Sequence, residues 1–212
     1  MGGMKRREPH YHHGDLRNAL IKQAVKLVED MGAANFSLRQ AARLVGVSAN
    51  AAYRHFADKS DLLLAVAGEG FARLERACLK AISAAPQRAT AAATAVERLK
   101  AAGRGYVEFA VVHPELLRVM FGSSGLSTLE EDGSLQPAAF VLLSKALDDL
   151  VDAGVLPADR RRGAELKAWT AVHGFASLVI QSGGTAQRKA ARAEALEAVL
   201  DFALVGLCGR MD

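Results

Sequence analysis

The chain has 212 residues, half of them apolar, with 27 Lys and Arg against 23 Asp and Glu for a formal net charge of +4. That length and apolar content can bury a substantial core, and they exclude a disordered or low-complexity chain. Apolar-rich stretches such as Phe140 to Leu143 or Ala176 to Ile180 fall far short of the ~18 residues that span a bilayer, and Cys78 and Cys208 match neither a disulfide framework nor a metal spacing.

The start, Met1 to His13, is basic and polar without an apolar run behind it, so no signal peptide and a cytoplasmic, membrane-free location are expected. Charge is distributed unevenly. Residues 1–62 hold ten Lys and Arg against six Asp and Glu, leaving seventeen of each for the other 150 residues. Four of the six histidines, His10, His12, His13 and His55, fall in the same first third, as expected for a segment that meets a polyanion. The His10, His12, His13 run offers imidazoles but no second shell to fix them, so no metal is expected.

Helical spacing recurs along the chain and period-two alternation does not, which predicts an all-α fold of about nine helices. The first helix is expected from Gly14 or Asp15, with the stripe Leu16, Leu20, Ala24, Leu27, Val28, Met31, and to end at Gly32. A short second helix opens at Ser37, which has capping-box spacing to Gln40, and runs to Val45 before Gly46 turns the chain. The third runs from Ser48 to near His55. A long fourth helix is expected from Asp58 to Ala84, before Pro86. The remainder reads as a bundle: 90–113, 114–121, 137–153, 159–181 and 187–207, with 122–136 as a mobile loop. The expected division is a helix-turn-helix domain over 10–58 and a helical body over 59–212, which the family resemblance given below makes a ligand-binding and dimerisation domain.

Residues 37–56, SLRQAARLVGVSANAAYRHF, carry the chemistry. They spell two short helices joined at a glycine, with small residues where crossing helices must touch: Ala42 in the second helix, Val47 and Ala52 inside the corner. Ser48, Ala49, Asn50, Tyr53 and Arg54 would then face outward, the geometry in which one helix enters the major groove while the other crosses the backbone. Asn50 suits an adenine edge, Arg54 guanine or phosphate, and the Ala49 and Ala51 methyls suit thymine. Tyr53, His55 and Lys59 cluster as phosphate donors, with Arg39 flanking the groove.

YHHGDLRNALIKQAVKLV, SLRQAARLVGVS and YRHFADKSDLLLAV, spread over roughly 10–75, resemble the amino-terminal domain of the TetR family of bacterial repressors. Three features stand in order at family spacing: the helix-1 start, the A-x-x-x-G-V-S corner, and the Y-x-H-F-x-x-K-x-x-L exit into the fourth helix. The resemblance implies a DNA-reading third helix, a homodimer on a palindromic operator and an effector pocket in the carboxy-terminal body. It makes Ser37 and Arg39 flanking contacts, Ser48, Ala49, Asn50 and Ala51 the base-facing stretch, and Tyr53, Arg54, His55 and Lys59 phosphate and groove-edge contacts. Ala52 departs from the pattern, since many members carry a larger aliphatic residue there. With Ser48 to Ala52 so small, more specificity falls to DNA shape. HPELLRVMFG (113–122) and WTAVHGFASL (169–178) resemble one branch of the family over a shorter span.

Tyr106, Phe109, His113, Met120, Phe121, Phe140, Trp169 and His173 are the expected lining of a pocket for a small apolar effector, because each lies on a body helix with few charges near it. The last two helices, apolar on broad faces, are expected to form a four-helix dimer interface. No G-x-S-x-G, Walker or H-E-x-x-H motif occurs, so neither an enzyme nor a cofactor is expected. Gly103-Arg104-Gly105 reads as a kink or a close helix contact. A helical protein-interaction module without sequence-specific DNA binding is the alternative, and the confinement of net charge to the first 62 residues speaks against it.

Overall fold

The computed structural model describes residues 13–122, 138–183 and 189–209. His10, His12 and most of the expected loop at 122–136 lie outside them. Among the described residues there are nine α-helices and no strand: α1 (His13–Met31), α2 (Leu38–Val45), α3 (Ala49–Tyr53), α4 (Lys59–Ala84), α5 (Ala91–Val112), α6 (Pro114–Met120), α7 (Ala138–Asp152), α8 (Ala164–Gln181) and α9 (Lys189–Cys208). The all-α expectation holds. No described helix is long and apolar enough to cross a membrane. The chain forms two compact units, Met1–Val66 and Ala67–Asp212, with the division falling inside α4.

In the first unit the stripe of α1 is buried as far as Val28, but Met31 is 37% exposed. The helix stops there, because Gly32 enters the left-handed region at φ 78° while its N–H still reaches Val28 O. Leu20, Ala24, Val28, Ala41, Ala52 and Phe56 make the core. The Arg17 guanidinium lies over the Phe56 ring, 5.1 Å from its centroid.

The ends of these helices follow from local hydrogen bonding. Ser37 Oγ accepts from Gln40 N and Gln40 Oε1 accepts from Ser37 N, both at 3.2 Å, completing the capping box. Thr90 caps α5 through Ala93 N at 3.1 Å. Asp58 Oδ1 accepts from Asp61 N at 2.9 Å, while the Asp61 carboxylate reaches back to Ala57 N at 3.0 Å. Removing such an acceptor leaves a first-turn N–H to water alone. Ser37→Ala is therefore expected to lower stability by about 1 kcal/mol, read as a fall in the thermal midpoint; an unchanged midpoint would show that solvent replaces the cap.

In the second unit α5 packs against α7, α8 and α9, and α8 against α9. Leu99, Leu147, Leu150, Leu156, Leu204 and Leu207 fill the centre. Gly103 and Gly105 are close helix contacts, as one of the two expected readings had it. A Cβ on Gly103 would come within 2.5 Å of Leu200 Cδ2, and one on Gly105 within 3.0 Å of Ala77 O and Cys78 Cα. Gly105 lets the backbone of α4 lie against α5, and Gly103 makes room for the Leu200 side chain of α9.

Charged clamps fasten the helices. Arg104 of α5 grips Glu197 of α9 with two bonds, at 2.5 and 2.8 Å, and bonds Glu97 at 2.6 Å. Hydrogen bonds from Arg88 and then Arg104 hold the Glu97 carboxyl below the usual carboxylate range. Arg161 ties Asp148 of α7 to Glu165 of α8, both at 2.7 Å.

One boundary differs from expectation. A helix from Asp159 is not what forms: residues Ala158–Arg160 make a single 3₁₀ turn, and α8 starts only at Ala164. Gly163 adopts φ 71°, a left-handed conformation that no continuous right-handed helix can contain.

Candidate nucleic-acid interface and ligand cavity

The corner is built from backbone outward. After α2, Gly46 takes φ 83°, its N–H bonds Arg43 O at 3.1 Å, and Val47 N bonds Ala42 O at 3.0 Å. Ser48 then restarts the helix, its Oγ accepting from Ala51 N at 3.2 Å. Ala42 and Ala52 are fully buried at the crossing. Small side chains here allow a second helix of only five residues to seat against α2.

The opposite side of α3 faces out. Ser48, Asn50, Tyr53 and Arg54 are exposed, as are Ser37 and Arg39, whereas Ala49, Ala51 and His55 are half-buried and Val47 is only partly enclosed. The two serine hydroxyls use oxygen lone pairs for capping and keep their O–H free to donate to an anion. Asn50, Arg54 and Arg39 make no side-chain hydrogen bond or ion pair among the described residues.

Lys59 is placed differently from the other expected contacts. Its ammonium donates to Ala34 O at 2.8 Å and sits 5.0 Å from the centroid of Phe36. It ties the start of α4 to the segment before α2, so its charge lies at the surface but its geometry is already committed to the fold.

The second unit contains a cleft of about 880 Å³, its open side included. Phe71, Leu74 and Cys78 of α4 line it, with Leu99, Lys100, Gly103 and Tyr106 of α5, Phe121, Phe140 and Leu143, Trp169 and Val172 of α8, and Leu200 and Leu204 of α9. Of the eight expected residues, Tyr106, Phe121, Phe140 and Trp169 reach this wall.

Phe109, His113, Met120 and His173 do not line it, which corrects that half of the expectation. His173 stands behind the wall, its Nδ1 2.7 Å from the Tyr106 hydroxyl and its ring 4.6 Å from that of Phe121. Burial pushes its pKa down, which favours the neutral ring and fits a Tyr106 O–H that donates to Nδ1. Phe109 is buried against the His113 ring, 5.0 Å away, and His113 closes α5 through its backbone N–H to Phe109 O at 2.8 Å. Met120 is fully buried, and its sulfur occupies the space that a Cβ on Gly70 would need.

The polar groups in the wall are already engaged. Burial raises the Tyr106 phenol, opposed in part by a hydrogen bond from Trp169. The Cys78 thiol, pushed up to about 12 by burial and then by Glu75, lies 3.5 Å from Ala102 O. It is a packing group, not a nucleophile.

The α4 and α9 contributions were not singled out from the sequence. Phe71, Leu74 and Cys78 recur at helical spacing, as do Leu200, Leu204 and Leu207, but such stripes look the same whether they face a cavity or a filled core. Gly103 was the local signal.

No curated protein matches this chain. Residues 20–66 match the model for bacterial regulatory proteins of the tetR family, and residues 99–203 match the tetracyclin repressor-like C-terminal domain. Among solved structures, a Rhodococcus sp. RHA1 protein of unknown function is 32% identical, with a TM-score of 0.71 over 95% of this chain and 100% of that one. The fatty acid degradation regulator FadR from Bacillus halodurans shares the fold at 16% identity, with a TM-score of 0.67 over 97% and 100%. A tetR family regulatory protein from Rhodococcus RHA1 does so at 20%, with a TM-score of 0.59 over 93% and 98%. With an amino-terminal corner and a carboxy-terminal body that both match, the chain belongs to the TetR family of DNA-binding transcriptional regulators.

Proposed function

We propose that the protein is a ligand-responsive repressor that binds a palindromic operator as a homodimer and is released by a small, largely apolar effector. The observation that carries this reading is the pairing, in one chain, of an outward polar α3 face with an apolar cleft in the separate C-terminal unit. Ser37, Arg39, Ser48, Ala49, Asn50, Ala51, Tyr53, Arg54 and His55 are the DNA-facing set; Lys59 adds charge at its edge while bracing α4.

Dimerisation is supported by apolar surface on the last two helices. Leu178 of α8 is 68% exposed and Phe202 of α9 is 76% exposed, with Leu166 and Val205 also open to solvent. Large side chains so exposed on adjoining helices suit burial against a second copy. In the dimer the two α3 helices would read half-sites about 34 Å apart, one turn of DNA.

Helix α4 links operator and effector in this scheme, since it begins in the first unit and supplies Phe71, Leu74 and Cys78 to the cleft. An effector that favours one dimer arrangement over another shifts the population that fits DNA.

Selection from a random double-stranded library at ~150 mM salt tests the reading, the salt being stated because phosphate contacts make affinity salt-dependent. A recovered palindrome with half-sites one turn apart is the expected result. Binding without sequence preference that vanishes as salt is raised would overturn operator recognition and leave the interaction-module alternative.

A further inference from the structure

The cleft holds one ionisable cation among its described lining residues, Lys100 of α5. That ammonium is already spoken for. Its Nζ lies 2.5 Å from Asp201 Oδ1 and 3.6 Å from Glu197 Oε2, both on α9, and only 15% of the side chain is exposed. Arg104, the next cation along α5, is held by Glu197 and Glu97, and Arg88 also bonds Glu97. Three cations thus face three carboxylates in one cluster, of which Lys100 alone lines the cleft.

The remaining lining is apolar or internally satisfied. Tyr106 faces His173 Nδ1, Cys78 faces Ala102 O, and Phe71, Phe121, Phe140, Trp169 and the leucines carry no charge. A ligand carboxylate that approached Lys100 would meet Asp201 and Glu197 at the same place. It would have to displace one of them or add an unmatched negative charge in a cleft lined mostly by apolar side chains. An ammonium would meet Lys100 and would find the Asp201 and Glu197 carboxylates already paired with cations.

We infer that the cleft selects an uncharged, predominantly apolar effector, whose polar end is no more than a hydroxyl or carbonyl, and that the Lys100–Asp201 pair at its edge is the element that turns anionic amphiphiles away. This rests on the reading of the cleft as the effector site and adds the charge class of the ligand and the residues that set it.

Asp201 is well exposed, with 59% of its side chain open to solvent, so Asp201→Asn removes the closest carboxylate without touching the core. Glu197 stays on Arg104 at 2.5 Å, and Lys100 keeps only the more distant Glu197 Oε2 at 3.6 Å, so the cluster gains one net positive charge.

Trp169 is the single tryptophan of the chain and lines the cleft, so its emission reports occupancy directly. The test titrates decanol and decanoate, matched in chain length and differing in headgroup charge, into the full-length protein at neutral pH, following Trp169 emission and heat. In the wild type decanol is expected to bind about tenfold more tightly than decanoate, and Asp201→Asn is expected to close most of that gap. Decanoate binding as tightly as decanol to the wild type would overturn the inference while leaving the cleft a ligand site. An unchanged ratio in Asp201→Asn would overturn the role of the pair. If neither compound alters the emission or releases heat, the cleft is not an effector site and the inference falls with it, whatever the library selection shows of DNA binding.

Discussion

Phe56→Ala should lower the unfolding free energy of the N-terminal unit by about 3–5 kcal/mol, the range for emptying a buried aromatic site. Phe56 is 1% exposed and lies three residues beyond α3, its N–H bonded to Ala52 O at 3.1 Å. Its ring also carries the Arg17 guanidinium, so truncation removes that contact with the packing. Folded domains hold only ~5–15 kcal/mol in total, and a unit this small has little to spare. Urea unfolding followed by helical ellipticity would report the loss, while Trp169, which lies in the C-terminal unit, gives a separate reading of the body. A destabilisation below about 1 kcal/mol would mean that the first unit relaxes around the hole, against the close packing that its small-residue core implies. DNA binding should fail in the same variant, because α3 is only five residues long and is held in place by what lies beneath it.

Arg54→Ala should weaken operator binding by about ten- to a hundredfold, equivalent to roughly 1–3 kcal/mol, with no change in melting. The second half of that expectation follows from exposure and from the lack of any bond to the side chain among the described residues. Salt dependence then separates two roles. If Arg54 contacts phosphate, the slope of log affinity against log salt should become shallower by about 0.9 per contact. If it reads a base edge, the slope should hold and discrimination at one operator position should relax. Full affinity in the variant would remove Arg54 from the interface. Lys59→Ala is a poorer probe: its ammonium bonds Ala34 O at 2.8 Å, so loss of affinity there would mix a lost charge with a loosened fold.

Much of the amino-terminal unit was legible in the residues. The Ser37 and Gln40 capping box, the glycine corner at Gly46, the Ser48 cap and the burial of Ala42 and Ala52 are short-range facts, each settled within a few residues by hydrogen bonding and steric size. The outward direction of Asn50 and Arg54 follows from the same helical period. The sequence by itself also determined the helical class and the position of the breakers, because helix propensity and backbone conformation are local properties; which of the two readings of Gly103 held was decided by packing.

Only the tertiary structure decided which apolar side chains surround a cleft and which fill a core. Phe109 and Met120 are large apolar side chains on body helices, as Trp169 is, yet they pack away from it. The difference arises from how α4, α5, α8 and α9 are rotated against one another, which no single helix encodes. The same holds for charge. Lys100 and Asp201 are 101 positions apart, and Lys59 and Ala34 twenty-five; whether a cation is free to meet a ligand depends on partners that only folding brings within hydrogen-bonding distance.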